Sequence, residues 1–579
     1  MNKDKTIDKK NKLTPDGMGD RLFEECAVET GIAYGLACVF EEAGYRKVRT
    51  PGLEFLSVFG STSSYFPQEE VYKLSDSKGR LVAVRPDSTI PIARLVATKL
   101  KGAELPLKLY YAQNVYRRQP EHRGRDSEVM QMGVELIGEA GFSADVDMID
   151  LAVRSLAAVY GGRFRIEIGH VGLYKRLMER LGADEDVCER IQRYVESKNY
   201  SALEDALVGF EDRRTAEVIL RLPGLFGGAE ALAEAAALFK GYDDEACSMV
   251  AYLSDVMGEL AGRGRAESVM IDLGLVNRAE YYSSLVFKGY GASAGEPLLS
   301  GGRYDELFCD FGEEMPATGF GVNIDLLTEA AMGGEGSPAD DGLAGGQMEN
   351  NGNNDRPLRI ALAKGRLEEE FVHTLSRWGG YDTAPMEDRG RKLIVFVPED
   401  GGWPERGVEV ILAKAPDVVT YVEQGVCDIG IVGKDTLLEH GGTYYEILDL
   451  GLGFCKFALA APAGGAVAGG AAPQVVASKY PQYAGRYFER LGLDVRIIRI
   501  EGSVELAPLI GLADSIVDLV QSGATLKENG LEVVSWIRDI SARLIVNVTS
   551  MKLRKDEIEA FAERVDAPSI IINSESGDA

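Results

Sequence analysis

At 579 residues the chain exceeds what one hydrophobic core can organise, since single cores stop growing near roughly 250–300 residues, so at least two domains are expected. Its net charge of −28, from 91 acidic and 63 basic side chains, argues against nucleic-acid binding and gives added meaning to any local basic cluster. With 45% apolar and 27% charged residues and no run of about 18 apolar residues, the composition is that of a soluble globular protein without a membrane-spanning helix. Cys26, Cys38, Cys188, Cys247, Cys309, Cys427 and Cys455 are scattered without a Cys-x-x-Cys pair, and only 4 His appear, so neither a zinc site, a resident metal nor a disulfide framework is expected. Residues 1–12 are charged and lack an apolar stretch, so a flexible tail is expected there rather than a secretory signal, and the protein is expected in the cytoplasm.

The first domain is expected to span 13–332. Glu42-Ala-Gly44 followed by Tyr45 to Pro51 reads as a helix end and a strand. Arg85-Pro-Asp87-Ser-Thr89, Tyr116-Arg117, Gly124-Arg125, Gln131-Met-Gly-Val-Glu135, Glu280-Tyr281-Tyr282-Ser283 and Gly301-Gly-Arg303-Tyr304-Asp305 come after it. From about Leu13 to Leu327 these segments resemble class II aminoacyl-tRNA synthetases, and the histidyl enzyme in particular. The resemblance implies an antiparallel sheet with helices and, by matching position, histidine contacts from Asp87, Thr89, Arg117, Gln131, Glu135, Tyr281 and Tyr282. Carboxylates suit an ammonium group, and a tyrosine pair suits an imidazole. Three departures stand out. Asn277 and Leu326 occupy positions where the histidyl enzyme carries Arg, and Ser127 replaces a third Arg. Losing cations that stabilise charge on an α-phosphate should remove several orders of magnitude of adenylation rate. No anticodon-binding domain is expected to follow, because the linker begins at Gly333, and the net acidity argues against tRNA binding as well. The alternatives are a fold kept only for dimerisation and a chain that still activates histidine.

From Gly333 to Asp355 the sequence is rich in Gly, Asn and acid, with only Leu343 and Met348 as sizeable apolar residues, and reads as a flexible linker. Residues 356–572 then alternate short apolar runs with amphipathic segments, and 573–579 are expected as a tail. Val408–Leu412, Ile429–Val432, Gln474–Ala477 and Val495–Ile500 are expected strands. Pro416–Gln424, Gln482–Leu491 and Leu506–Leu512 are expected helices, and Gly464–Ala472 a flexible surface loop. Alternation of this kind implies α/β architecture, in which ligands sit beyond the carboxyl ends of the strands.

The most informative stretch is Asp514 to Leu526. Ile516, Val517, Leu519 and Val520 read as a buried strand that opens into Ser522-Gly523-Ala524-Thr525. Small residues in that position let backbone N–H groups and two hydroxyls close around a phosphate, while Asp514 and Asp518 suit sugar hydroxyls or a divalent cation. Lys364-Gly365-Arg366 at a strand-to-helix turn suits a polyanion such as pyrophosphate, and Arg389-Gly-Arg391-Lys392 adds a second basic cluster. Gly502-Ser503-Val504-Glu505 opens a helix, with Ser503 expected as its N-cap.

With Asp417–Gly425, Cys427–Asp435 and Asn529-Gly530-Leu531, these motifs resemble the catalytic subunit of ATP phosphoribosyltransferase from about Leu358 to Lys552. The resemblance implies two α/β lobes similar to periplasmic binding proteins. Because the chain ends at Ala579, it is similar to the short form, which works with a separate regulatory subunit; the disarmed synthetase-like domain resembles that subunit, here fused in front. The implied reaction is the first step of histidine biosynthesis. N1 of ATP attacks phosphoribosyl pyrophosphate and releases a Mg2+-bound pyrophosphate, with L-histidine as feedback inhibitor. Arg366, Arg391 and Lys364 would stabilise the leaving group. Ser522, Gly523, Ala524 and Thr525 would hold the 5′-phosphate, Asp514 and Asp518 would address the ribose, and Glu505 and Lys414 would complete the substrate site. Lys414 stands where the family usually carries Arg, which keeps the charge but loses the bidentate fork, and Val419 replaces a Pro. A homo-oligomer, tetrameric or larger, is expected. The alternative from another class is a non-enzymatic solute-binding protein, against which the basic residues around the phosphate loop count.

Overall fold

The computed structural model describes residues 14–59, 70–118, 126–276, 282–291, 296–332, 356–400, 407–470 and 472–575. The chain divides between Asn354 and Asp355 into two compact units. The expected linker at 333–355 and the tail at 1–12 lie outside the described residues.

The first unit is built on a nine-stranded sheet in the order Arg46–Lys47, Leu107–Tyr116, Glu128–Ile137, Ala317–Asn323, Leu299–Arg303, Leu285–Gly291, Phe164–His170, Val269–Asp272, Phe226–Gly227. Its central pairings are antiparallel, with Leu107–Tyr116 and Glu128–Ile137 in register over ten residues from Leu107 opposite Ile137 to Tyr116 opposite Glu128. The helices Phe23–Glu42 and Phe142–Val159 belong to the larger core, where Leu36, Phe40, Ile149, Leu156, Phe287 and Phe320 are buried. Phe320 is packed edge-on between Phe40 at 6.0 Å and Phe287 at 6.2 Å, the geometry that aromatic quadrupoles favour. A second core, with Tyr111, Tyr282, Val286, Tyr304 and Phe308, packs with the helix Thr89–Lys99. Between Val171 and Gly262 the chain forms six helices, five of which start on a side-chain cap, from His170, Asp184, Asn199, Asp212 or Asp243.

The second unit has two lobes. One carries a six-stranded sheet, Ile394–Pro398, Gly407–Ala413, Leu358–Ala363, Ile429–Gly433, Ala542–Val546, Tyr445–Asp449, with its three parallel strands adjacent. The other carries five strands, Arg496–Arg499, Val475–Ser478, Ser515–Val520, Cys455–Pro462, Leu531–Ile540. The chain passes between lobes twice, over 450–454 and through Ser541. In the second lobe Phe457 stacks on Tyr483 at 4.3 Å and meets Tyr480 edge-on at 5.0 Å.

Several elements differ from expectation. The helix expected over Leu506–Leu512 stops at Leu509, because the chain turns at Gly511 with φ +75°. It is preceded by Glu505 rather than capped by the Ser503 side chain; Ser503 contributes only its carbonyl, to Leu506 N at 3.3 Å. The Gly-rich loop after Pro462 is a run of hydrogen-bonded turns anchored by buried Val467. The last helix, Lys555–Glu575, continues past residue 572, where the tail was expected. No helix among the described residues is long and apolar enough to cross a membrane.

Candidate functional site

In the second unit, parallel pairing sets Ala363 opposite Ala413, so Lys364 and Lys414 emerge side by side from neighbouring strand ends. Lys364 N donates to Ala413 O at 2.9 Å, closing that pair of turns. Gly365, with φ +103°, then reverses the chain into the helix Arg366–Thr374. Arg366 begins this helix and donates from Nε to Glu370 Oε1 at 2.6 Å. Beside it opens a cleft of about 600 Å³ lined by Glu368, Glu369, Glu387, His373, Met386 and Arg389, among others, so that three carboxylates stand against one guanidinium. The cleft draws on Arg389, which donates to Glu368, and not on Arg391. Gly390, with φ +59°, turns the chain between the two arginines, and Arg391 is left exposed in the turn that follows. The family resemblance assigns Arg391 to the leaving group, whereas the residue that lines this cleft is Arg389.

In the second lobe the strand Ser515–Val520 ends in Ser522-Gly523-Ala524-Thr525, where Gly523 adopts φ +72° and Ala524 N donates to Ser522 Oγ at 3.4 Å. Ser522, Ala524 and Thr525 are exposed. Asp518, inside the strand, is pushed up to about 6 by burial, an effect reinforced by Glu505 and Asp435 and opposed by Lys479. Those charges are its neighbours, so the structure gathers Asp518 and Glu505 with Asp435 of the first lobe. Asp514 is not part of this group. Its Oδ2 accepts from Gln474 N at 3.0 Å and Val475 N at 2.9 Å, which pins the start of the neighbouring strand. Asp514 precedes the strand and Asp518 is its fourth residue, so four steps at ~3.3 Å per residue set the two acids roughly 13 Å apart along it. Lys479 was missed, although a Lys directly after the strand Val475–Ser478 repeats the placement of Lys364 and Lys414.

The lobes meet through side chains of the helix Lys434–His440. Asp435 accepts from the Tyr480 hydroxyl at 2.9 Å, and Glu439 accepts from Gln482 N at 3.1 Å and Tyr483 N at 3.0 Å at the start of the helix Pro481–Arg490. At the same helix start, Lys434 forms a buried pair with Glu446.

In the first unit the expected histidine contacts that fall among the described residues lie near one another on and beside the sheet. Gly302, Gly319 and Glu135 lie in one row across three strands, and Gly321, Gly133 and Tyr111 in the next. A Cβ at Gly321 would sit 2.7 Å from Gln131 Nε2, and one at Gly302 2.7 Å from the Tyr282 ring, so these glycines make the room. Glu135 accepts from Thr89 Oγ1 at 2.8 Å and from the Tyr304 hydroxyl, and Gln131 accepts from the Tyr111 hydroxyl at 3.2 Å. Burial pushes the Glu135 carboxyl up to about 8 against those two donors, and Asp87 adds to the rise. Asp87, also raised by burial, accepts from Ile90 N at 3.0 Å, while Arg117 donates to Pro86 O at 2.8 Å beside it. Tyr282 and Tyr304 pack at 6.5 Å. Tyr304 and Tyr111 join this group through their bonds to Glu135 and Gln131, and motif spacing alone did not single them out. Tyr281, Glu280, Asn277 and Gly124-Arg125 lie outside the described residues.

The positions of two replaced arginines can be described. Leu326 is partly buried against the larger core. Ser127 is buried, with its N donating to Gly17 O at 2.7 Å. Their sequence neighbours Asp325 and Asp126 line a pocket of about 350 Å³ whose described lining also includes Asp20, Glu25, Glu29, Glu128 and Glu329, against the single cation Arg21. Such a lining repels a polyphosphate.

Fold and site therefore define a class II synthetase-like unit joined to a two-lobed, mixed-sheet unit with cations at its strand ends. Residues 17–327 match the family described as histidyl-tRNA synthetase, and residues 414–567 the family described as ATP phosphoribosyltransferase. The ATP phosphoribosyltransferase regulatory subunit of Clostridium acetobutylicum is 37% identical over 322 residues, covering 55% of this chain and 79% of that protein. That of Clostridium kluyveri is 38% identical over 372 residues, covering 63% and 90%. A crystal structure from Bacillus halodurans, described as an ATP phosphoribosyltransferase regulatory subunit/histidyl-tRNA synthetase, superposes with a TM-score of 0.51 at 31% identity, covering 69% of this chain and 92% of that one. The chain belongs to the ATP phosphoribosyltransferase regulatory-subunit family through its first unit and carries an ATP phosphoribosyltransferase domain in its second. It is a glycosyltransferase of histidine biosynthesis with its regulatory domain built in.

Proposed function

We propose that the second unit transfers the phosphoribosyl group of phosphoribosyl pyrophosphate to N1 of ATP. Arg366, Lys364 and Lys414 act on the departing pyrophosphate, Arg389 joins them in the place first assigned to Arg391, and magnesium arrives with the pyrophosphate as part of the substrate. Ser522 to Thr525 hold the 5′-phosphate. Asp518 and Glu505 face the ribose, and Asp514 serves the sheet. A neutral ring nitrogen needs no strong base, so the rate depends on stabilising charge on the leaving group. The observation that carries this reading is the pairing of Lys364 with Lys414 at adjacent strand ends beside Arg366, in a chain otherwise strongly acidic. Incubation with ATP, phosphoribosyl pyrophosphate and magnesium should yield phosphoribosyl-ATP. No product under any condition would overturn the proposal.

The first unit, in this reading, binds L-histidine through Glu135, Gln131, Asp87, Thr89, Arg117, Tyr281 and Tyr282, and inhibits by favouring the less active arrangement. The assembly is a homo-oligomer in the cytoplasm, without tRNA. At neutral pH the empty pocket holds Glu135 largely protonated. A docked ammonium favours the ionised form, so binding below a pH of about 8 releases a proton and affinity rises with pH. Calorimetry is expected to show histidine binding up to about tenfold tighter for a one-unit rise toward that pH, and Glu135→Gln to flatten the dependence. Histidine-dependent ATP–pyrophosphate exchange is expected to be absent, because the acidic pocket disfavours the nucleotide; a measurable exchange rate would revive the synthetase alternative.

A further inference from the structure

We infer that Glu370 is a positioning residue for the transfer reaction, one carboxylate holding both the Arg366 guanidinium and the crossover between the lobes. The inference rests on the assignment of Arg366 to the pyrophosphate. Glu370 lies one helical turn after Arg366. Its Oε1 accepts from Arg366 Nε at 2.6 Å, and its Oε2 accepts from Gly453 N at 2.7 Å. An exposed ion pair four residues apart contributes little to stability on its own. The second bond gives the carboxylate a different role, because Gly453 lies in the segment 450–454 that carries the chain from one lobe to the other.

That segment is cross-linked to the return crossover. Leu450 N donates to Ala542 O at 3.0 Å, Ala542 N donates to Leu452 O at 2.8 Å, and Ser541 Oγ donates to Asp449 Oδ1 at 2.7 Å. Gly453 takes φ +64°, a conformation that lets the chain turn its amide toward the helix. Any change in the path of the crossovers as the lobes approach one another moves the Gly453 amide, and Glu370 transmits the movement to Arg366. The contact uses Nε alone. Anchored there, the planar guanidinium keeps its two terminal nitrogens in a fixed orientation for a bidentate contact with a phosphate.

Glu370 also places a negative charge beside the cation. Its loss should leave the attraction for ground-state substrate intact or stronger while freeing the guanidinium to rotate. Binding and turnover therefore separate. Glu370→Ala is expected to lower kcat by about 10–100-fold, the scale of an ångström-level misplacement, with KM for phosphoribosyl pyrophosphate unchanged or lower. Glu370→Gln keeps the length but offers one acceptor oxygen in place of two, so it can hold Arg366 Nε or Gly453 N and not both, and should lose turnover as well. Glu370→Asp keeps the charge but is too short to span both partners, and should lose turnover as alanine does; it serves as the second variant if alanine compromises folding, which thermal unfolding of each variant reports. In the Glu370→Ala/Arg366→Ala double variant, kcat should fall no further than in Arg366→Ala alone. If Arg366→Ala keeps full turnover, the assignment of Arg366 fails. If Arg366→Ala loses turnover while Glu370→Ala and Glu370→Asp keep wild-type kcat, raise only KM, or add their full loss to that of Arg366→Ala, the role of Glu370 fails and that of Arg366 stands.

Discussion

Turnover of the Arg366→Ala variant is expected to fall by about 10²–10³-fold, the scale seen when one preorganised donor to a developing anion is removed. Arg366 is about half exposed at the head of its helix, so its removal opens no cavity and should leave the fold intact. Pyrophosphate gains charge as its bond to the ribose breaks, and a cation aimed at it lowers the barrier more than it tightens the ground state. The loss should therefore appear in kcat, with little change in KM for ATP, by steady-state kinetics. Arg389→Ala should follow with a smaller loss and Arg391→Ala with the least, since Arg389 lines the cleft and Arg391 does not.

The largest effect on stability is expected at Glu446. This residue is buried and accepts twice from Lys434 Nζ, at 2.7 and 2.5 Å, with Arg543 Nε at 3.4 Å. Lys434 and Arg543 are themselves buried, and burial already lowers the Lys434 pKa against the pull of Glu446. Glu446→Ala would leave two buried cations without this counter-charge, a change that typically costs about 3–5 kcal/mol. Denaturant unfolding of the second unit should move by that amount. The Lys434→Met/Glu446→Leu pair should recover much of the loss, because well-packed apolar side chains replace buried ion pairs at little net cost.

Much of the architecture is legible in the sequence. Val408–Leu412 and Ile429–Val432 are short apolar runs without competing helical periodicity, and the strands found, Gly407–Ala413 and Ile429–Gly433, differ only at their ends. The Lys364 turn is legible for the same reason: a Gly between two cations after such a run has few other uses. Asp514 shows what spacing does not carry, since its carboxylate is engaged by the backbone of the neighbouring strand. Spacing along the chain counts residues, not the edge of the sheet on which each falls, and an extended strand carries Asp514 far from a loop only eight positions later. Arg389 and Arg391 show the same limit over two residues, where a positive φ at Gly390 decides which one meets the cleft. Tyr304 and Tyr111 join the group around Glu135 and Gln131 only through sheet registers linking strands far apart in sequence. The six helices between Val171 and Gly262 carry no motif and went unread.

Both passages between the lobes also bear on how the second unit is made. Residues 450–541 form one uninterrupted insertion, so the first lobe's sheet acquires Ala542–Val546 last, against Ile429–Gly433 on one side and Tyr445–Asp449 on the other. During synthesis the apolar edge at Ile429–Val432 must wait for more than one hundred further residues before its neighbour emerges. Contacts so distant in sequence slow folding and prolong exposure of an unpaired strand edge. The second lobe has no such delay, since all five of its strands lie within 455–540. It should therefore become protease-resistant first on the growing chain, with the first lobe closing only after it.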